Sequence, residues 1–308
     1  MHDFWQIQTE VAEALAQNNP VVALESTVIT HGLPYPNNVE TAVKMQTAVR
    51  EGGAVPATIA IIQGRVHVGL TDDELEYLGK LAGTAVRKCS RRDIPLAIGN
   101  KEDGATTVAG TMILAHQAGI RLFATGGIGG VHRGHPFDIS ADLLELGRTP
   151  VAVVSSGAKS ILDLPATLEV LETHGVPVIG YGTDTLPAFF ARSSGLPVDI
   201  RLDTPEAVAS VMLAHQQTGL QNGLLVAVPV PEADACDPEM VEAAIAQATQ
   251  EADEQGIHGP ASTPWLLRRV VALTNGHSLQ ANVALLRNNG YTAAKIARAF
   301  CNSTISPH

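Results

Sequence analysis

Aromatic residues are scarce: Phe, Trp and Tyr make up 4% of the 308-residue chain. A core built without them must rely on Ala, Val, Leu and Ile, which suits parallel strands covered by helices. Cysteine is scarcer still. Cys89, Cys236 and Cys301 are odd in number and far apart, with no CxxC or Cys/His spacing. That argues against a disulfide framework or a structural zinc site and fits reduced thiols in a cytoplasmic protein. Positive charge is in deficit, with 20 Lys and Arg against 31 Asp and Glu, a formal net charge of -11. A nucleic-acid partner, which needs a basic stripe, is not expected. A small anionic ligand remains compatible, because a few local cations suffice for it. No apolar run reaches the roughly 18 residues of a membrane helix. The N-terminus lacks a basic stretch followed by an apolar one, and the final Ser-Pro-His is no targeting tripeptide, so neither secretion nor a membrane is expected.

What the chain does have is alternation. Short apolar runs, "PVVALEST", "PLAIG", "RLFATGGIGG", "PVAVVSSG", "PVIGYG" and "GLLVAVPV", are separated by segments of helical periodicity. This is the pattern of βαβ units. The predicted fold is α/β, a largely parallel central sheet with helices on both faces, an α/β/α sandwich. Helices are predicted near 3–17, 39–50, 107–118, 140–147, 160–174, 200–219, 238–254, 263–274 and 278–300. "ATIAIIQGRVHVGL" reads as a hairpin, and "TDDELEYLGKLA" as a helix capped by Thr71 with acids in its first turn. No Ser/Gly/Pro-rich linker divides the chain, so one domain over residues 1–308 is expected.

Ligands of parallel α/β sheets sit at the C-terminal ends of the strands. There the sequence places Glu25 after "PVVAL", then the glycine-rich "TGGIGGVHRG", then "SSGAK" with Lys159. A carboxylate at the end of an apolar strand either caps the next loop or acts as a general acid or base with a pKa raised by burial. The glycines of 126–130 either make a tight turn or turn backbone N–H groups toward an anion, with His132 beside them. The spacing matches neither GxGxxG nor a P-loop. Asp138 and Asp142, at i and i+4, could share a helix face. Asp138 could be a helix N-cap, or a lone carboxylate that with water suits Mg²⁺ or Mn²⁺ rather than zinc. "RKCSRRDIP" holds Arg87, Lys88, Arg91 and Arg92, a solvated charge run or a phosphate receptor. Lys159 lies where an apolar strand is expected to turn into a helix. Burial there penalises the ammonium and favours a free amine, a nucleophile toward a carbonyl or an anomeric carbon. A structural ion pair is the alternative.

Eight blocks, "ALESTVITHGLPYP", "GAVPATIAIIQGRVHVGL", "RKCSRRDI", "GATTVAGTM", "FATGGIGGVHRG", "FDISADLLEL", "VSSGAKSILD" and "GYGTDTLPAFF", resemble the pseudouridine-5′-phosphate glycosidase family from about residue 20 to 289. The resemblance implies reversible cleavage of the C–C glycosidic bond of pseudouridine 5′-phosphate to uracil and ribose 5-phosphate. It also implies Mn²⁺ or another divalent cation, and a homotrimer. It places the catalytic lysine on Lys159, the catalytic acid on Glu25 and the metal ligand on Asp138. Substrate contacts fall on Lys88, Val108, Ser140, Ala141 and Asp142, and further pocket positions on Thr125, His132 and Asn282. A C–C glycosidic bond gains nothing from protonating a leaving oxygen or nitrogen, the usual two-carboxylate route. An amine that opens the ribose and forms a Schiff base would supply the missing electron sink. A class I aldolase-like lyase and a non-catalytic sugar-phosphate sensor are the rival expectations.

Overall fold

The computed structural model describes residues 4–305, apart from Ala85, His258, Pro260 and Ala261. Its centre is a sheet in which six strands run parallel side by side with a seventh: β3 (Val55–Ile62), β2 (Val21–Leu24), β7 (Leu122–Ala124), β10 (Ala152–Ser155), β14 (Leu224–Ala227), β12 (Val178–Tyr181) and β13 (Ile200–Leu202). β2, β10 and β14 are buried along their whole length, as strands covered on both faces must be. Beyond β3 the sheet becomes mixed. β4 (Arg65–Val68) and β6 (Gly104–Thr106) pair antiparallel to β3, while β1 (Trp5–Ile7) and β5 (Arg87–Cys89) add parallel strands at the edge. A second sheet of three short antiparallel strands joins β8 (Val131–His132), β9 (His135–Ile139) and β11 (Leu162–Asp163).

Helices flank the large sheet as two layers. α2 (Asn37–Glu51), α8 (Pro205–Thr218) and the long α11 (His277–Ile305) pack on one another, and α11 crosses behind β2, β7 and β10. α5 (Val108–Gln117), α6 (Ala141–Leu146) and α7 (Leu164–Thr173) form the other. Right-handed crossovers explain the split: the chain winds from β2 to β3 in one direction and from β7 to β10 in the other, so the connecting helices fall on opposite faces. The winding therefore reverses between β2 and β7, and such a switch point opens a crevice at the strand ends. α5 is buried at every position from Val108 to Ala115, at a gain of roughly 1.5–3 kcal/mol for each large apolar side chain. The core is Ala, Val, Leu and Ile with few large rings, Phe123 and Phe190 among them.

Several local expectations hold. Gln63 and Gly64, both at positive φ (49° and 77°), turn β3 into β4. Thr71 and Glu74 form a reciprocal capping box at the start of α3 (Asp72–Lys80). Others are overturned. Residues 5–7, expected in a helix, pair with β4, and the helix is only α1 (Thr9–Ala16). "PLAIG", expected as a strand, is helix α4 (Ile94–Gly99), with Pro95 in its first turn where its missing N–H costs nothing. Residues 200–202 are the edge strand β13, ahead of α8. α7 starts at Leu164 rather than 160, so Lys159 lies in a loop, not at a helix start. The C-terminal Ser-Pro-His is outside the described residues. Among the described residues no helix is long and apolar enough to cross a membrane.

Candidate active site

A cleft of ≈ 620 Å³ opens at the switch point, over the C-terminal ends of β2, β7 and β10. Every site residue expected from the sequence lines it: Glu25, Lys88, Val108, Thr125, His132, Asp138, Ser140, Ala141, Asp142, Lys159 and Asn282.

Glu25 follows β2 directly. Ser26 and Thr27 pin the chain beyond it, the first accepting from the Thr106 N–H (2.8 Å) and the second donating to the Thr106 carbonyl (2.7 Å). Glu25 caps no loop; its carboxylate accepts a short hydrogen bond from the Thr125 hydroxyl, across the β2–β7 boundary. It opens onto the cleft yet is crowded by protein, and that burial pushes its pKa above the ordinary carboxylate range. The Lys159 charge and the Thr125 hydroxyl oppose the shift without cancelling it.

The loops after β7 and β10 run side by side. Ile128 N–H donates to the Gly157 carbonyl and Lys159 N–H to the Ile128 carbonyl, each at 3.1 Å. Gly157 makes the bend at φ 74°. The Lys159 amine donates to the Gly127 carbonyl at 2.8 Å and has no ion pair among the described residues, so the structural ion pair considered for it is not formed.

The glycines of 126–130 serve close approach. None has positive φ. A Cβ on Gly127 would stand 2.7 Å from the Phe189 ring, and one on Gly129 would run into the Ser140 hydroxyl. Some of the loop's N–H groups are spent inside the protein: Ile128 on Gly157, Gly129 on Asp142 (2.8 Å) and, just beyond the glycines, Val131 on the Thr167 hydroxyl (3.0 Å). Of the two readings of this loop, a tight turn or an anion nest, the second loses the Ile128 and Gly129 N–H groups to the protein itself.

Asp142 and Asp138 do not share a helix face, because Asp138 lies in β9 and Asp142 in α6. Ser140, not Asp138, caps α6. Asp142 is 6% exposed and accepts from Ala109 N–H (3.0 Å) and Gly129 N–H, tying the start of α5 to the glycine loop. Asp138 makes no hydrogen bond among the described residues and faces His132, whose pKa burial lowers while the Asp138 charge raises it. Among the described residues no three His, Cys, Asp or Glu side chains gather as a metal cage. One free carboxylate beside a solvent-filled cleft fits a hard, largely hydrated cation such as Mg²⁺ or Mn²⁺, and not zinc.

The basic run divides. Arg87 pairs with Glu102 and Arg91 with buried Glu145 (2.8 and 2.6 Å). Lys88, on the intervening register position, faces the cleft without an ion pair among the described residues. Burial lowers its pKa first, then the Lys159 charge, against the pull of Asp142 and Glu25. His31, in the π-type turn Val28–Gly32 beyond Glu25, joins Lys88, and burial and the Lys88 charge lower its pKa too. Sequence reasoning did not single out His31. It also missed Phe189, a wall residue held at φ 61°, and Thr263, Pro264 and Leu267 from α10 (Ser262–Leu273). Nothing in a one-dimensional pattern brings residues 189 and 263–267 to the ends of β2 and β7.

Comparison with known proteins identifies the family. Residues 10–299 match the family described as "Indigoidine synthase A like protein". The pseudouridine-5′-phosphate glycosidase of Hahella chejuensis is 57% identical over 302 residues, 97% of this chain and 99% of that one. The Escherichia coli protein of the same name is 54% identical over 297 residues, 96% and 95% of the two chains. Among solved structures, the prealnumycin C-glycosynthase AlnA in complex with ribulose 5-phosphate superposes with a TM-score of 0.91 at 42% identity, covering 99% of both chains. An indigoidine synthase A-like protein of Thermotoga maritima gives 0.88 at 35% identity, covering 98% of both. The chain belongs to the indigoidine synthase A-like family and, within it, to the pseudouridine-5′-phosphate glycosidases.

Proposed function

We propose that the chain cleaves pseudouridine 5′-phosphate reversibly to uracil and ribose 5-phosphate, with Lys159 as the covalent nucleophile and Glu25 as acid and base. The observation that carries this reading is the placement, in one cleft at the switch point, of an amine without an ion pair among the described residues and a carboxyl whose pKa burial raises. Relatives more than 50% identical carry that enzyme's name, and a relative of the same fold holds a pentulose phosphate. With its 5-oxygen esterified, such a sugar cannot close a furanose ring, which supports a site that works on the open chain.

The steps balance as follows. Protonated Glu25 gives its proton to the ribose ring oxygen as the Lys159 lone pair attacks C1′; the C1′–O4′ electrons go to that oxygen and the ring opens. The amine sheds a proton to Glu25. Glu25 then protonates uracil C5, and the C1′–C5 electrons restore the C5–C6 double bond while the nitrogen lone pair forms a C=N bond to C1′. Water hydrolyses that Schiff base, freeing ribose 5-phosphate and the lysine. Lys88 and His31, which line the cleft, would meet the 5′-phosphate. Asp138 would hold Mn²⁺ or Mg²⁺, which would supply a positive charge acting through its water shell.

The test is incubation with pseudouridine 5′-phosphate and separation of the products. Equal amounts of uracil and ribose 5-phosphate are expected, with C–C bond formation when both are supplied. Turnover of aldol substrates instead, or binding without turnover, would return the assignment to the aldolase or the sensor.

A further inference from the structure

One fully buried polar side chain behind the cleft is used by no step above. Asn289 lies on α11, fully buried. Its amide donates to the Thr125 carbonyl (2.8 Å), the Gly126 carbonyl (3.3 Å) and the Ser156 hydroxyl (3.2 Å), while the Ser156 hydroxyl also meets its oxygen (3.4 Å). Those partners end β7 and β10. From the same short stretch Thr125 reaches Glu25 and Gly127 receives the Lys159 amine. Ser156 N–H closes the network on the Gly126 carbonyl at 2.8 Å.

We infer that Asn289 is a positioning residue of this active site, fixing Thr125 against Glu25 and the glycine loop under Lys159 from the far side of the sheet. The inference rests on the function proposed above. Two physical points support it. Among the described residues the Thr125 carbonyl at the end of β7 meets no backbone N–H, and a buried amide with two N–H groups is a side chain that can serve it and a second acceptor together. Asn is also a poor residue for a helix interior, so its presence in a buried stripe calls for a bond that outweighs that propensity.

The readout is the ionisation of Glu25. The groups facing it are the Thr125 hydroxyl and the charges of Lys159, Asp142 and Lys88. Thr125 favours the charged carboxylate, so loosening Thr125 moves the Glu25 inflection to higher pH. In Asn289→Leu, an apolar replacement of similar size, kcat should fall roughly 10-fold to 100-fold, as misplacement of reacting groups does, with KM changed less than kcat. Its Glu25 inflection should move upward, as in Thr125→Val. The double variant should show no more shift than Thr125→Val alone, because both changes break one path.

An unmoved inflection, or shifts that add in the double variant, would overturn the inference and leave Asn289 a packing residue. If Asn289→Leu does not fold, Ser156→Ala removes one anchor of the amide and should produce a smaller upward shift; no shift would be equally decisive. Carboxyl-stretch infrared difference spectra of each protein against its Glu25→Gln counterpart follow the same ionisation without turnover. A wild type inactive on pseudouridine 5′-phosphate would therefore sink the function while still allowing the positioning role to be judged.

Discussion

The two ends of the central sheet use similar residues to opposite effect. At the strand N-termini a cavity of ≈ 210 Å³ is lined by His116, Arg121 and His215, with no carboxylate in its wall. There Arg121 meets the His116 ring at 3.1 Å, and His215 meets Asn222. Both histidines sit in the last turns of α5 and α8, and burial, then the Arg121 charge, lowers the pKa of His116. At the strand C-termini the polarity is reversed. α5 and α6 begin there, and the cleft holds Glu25, Asp138 and Asp142 beside Lys88 and Lys159. One end holds basic groups and no carboxylate; the other brings an amine and a carboxyl into one cleft. The direction of parallel strands and their returning helices produces this difference before any particular side chain is chosen.

The largest way to sharpen the contrast is Lys159→Ala, expected to lower kcat by ~10³-fold or more while leaving thermal unfolding close to wild type. Steady-state kinetics and calorimetry together check this. Glu25→Gln comes next: a loss of about 10²–10⁴-fold in kcat, the usual size of an acid–base contribution, again without loss of fold. Asp142→Ala tests a second carboxylate of the same cleft. It strands the N–H groups of Ala109 and Gly129, so urea unfolding should show a stability loss of about 1–3 kcal/mol for each orphaned group.

Glu25→Gln also carries a pH signature. Because the folded pKa is raised, folding binds the Glu25 proton; that contribution is full below the unfolded value of 4.5 and is lost as pH rises through the raised one. The variant should therefore gain stability on wild type as pH increases, with the gap closing near and below 4.5. A gap of constant size across pH would show that the folded carboxyl titrates normally. The smallest effect belongs to the opposite end of the sheet. Arg121→Ala should leave kcat/KM within about twofold and stability within ~0.5 kcal/mol, as surface changes usually do. A large kinetic loss there would erase the distinction between the two ends.

How much of this could be read from the chain depends on where the determinant lies. The parallel strands, the β3–β4 hairpin and the Thr71 cap were legible because alternation, turn residues and capping pairs act within a few positions. β1 and β13, three residues each, exist through pairing with β4 and β12, and a local pattern cannot show a distant partner. "PLAIG" looked like a strand because a short apolar run has no period of its own. In the site, Glu25 and Lys159 stood out as polar groups ending apolar runs. Lys88 was marked only by the family resemblance; composition alone did not separate it from Arg87, Arg91 and Arg92, and the pairing of Arg87 and Arg91 does. Asn289 left a faint trace: a polar residue on the helical face that Leu285, Leu286, Ala293 and Ile296 bury.

The most direct test of the central claim is borohydride reduction of the enzyme in the presence of ribose 5-phosphate, followed by peptide mass mapping. The account predicts one reduced pentose-phosphate adduct, on the peptide containing Lys159, and none in Lys159→Ala. An adduct on Lys88, or turnover without any reducible adduct, would contradict it.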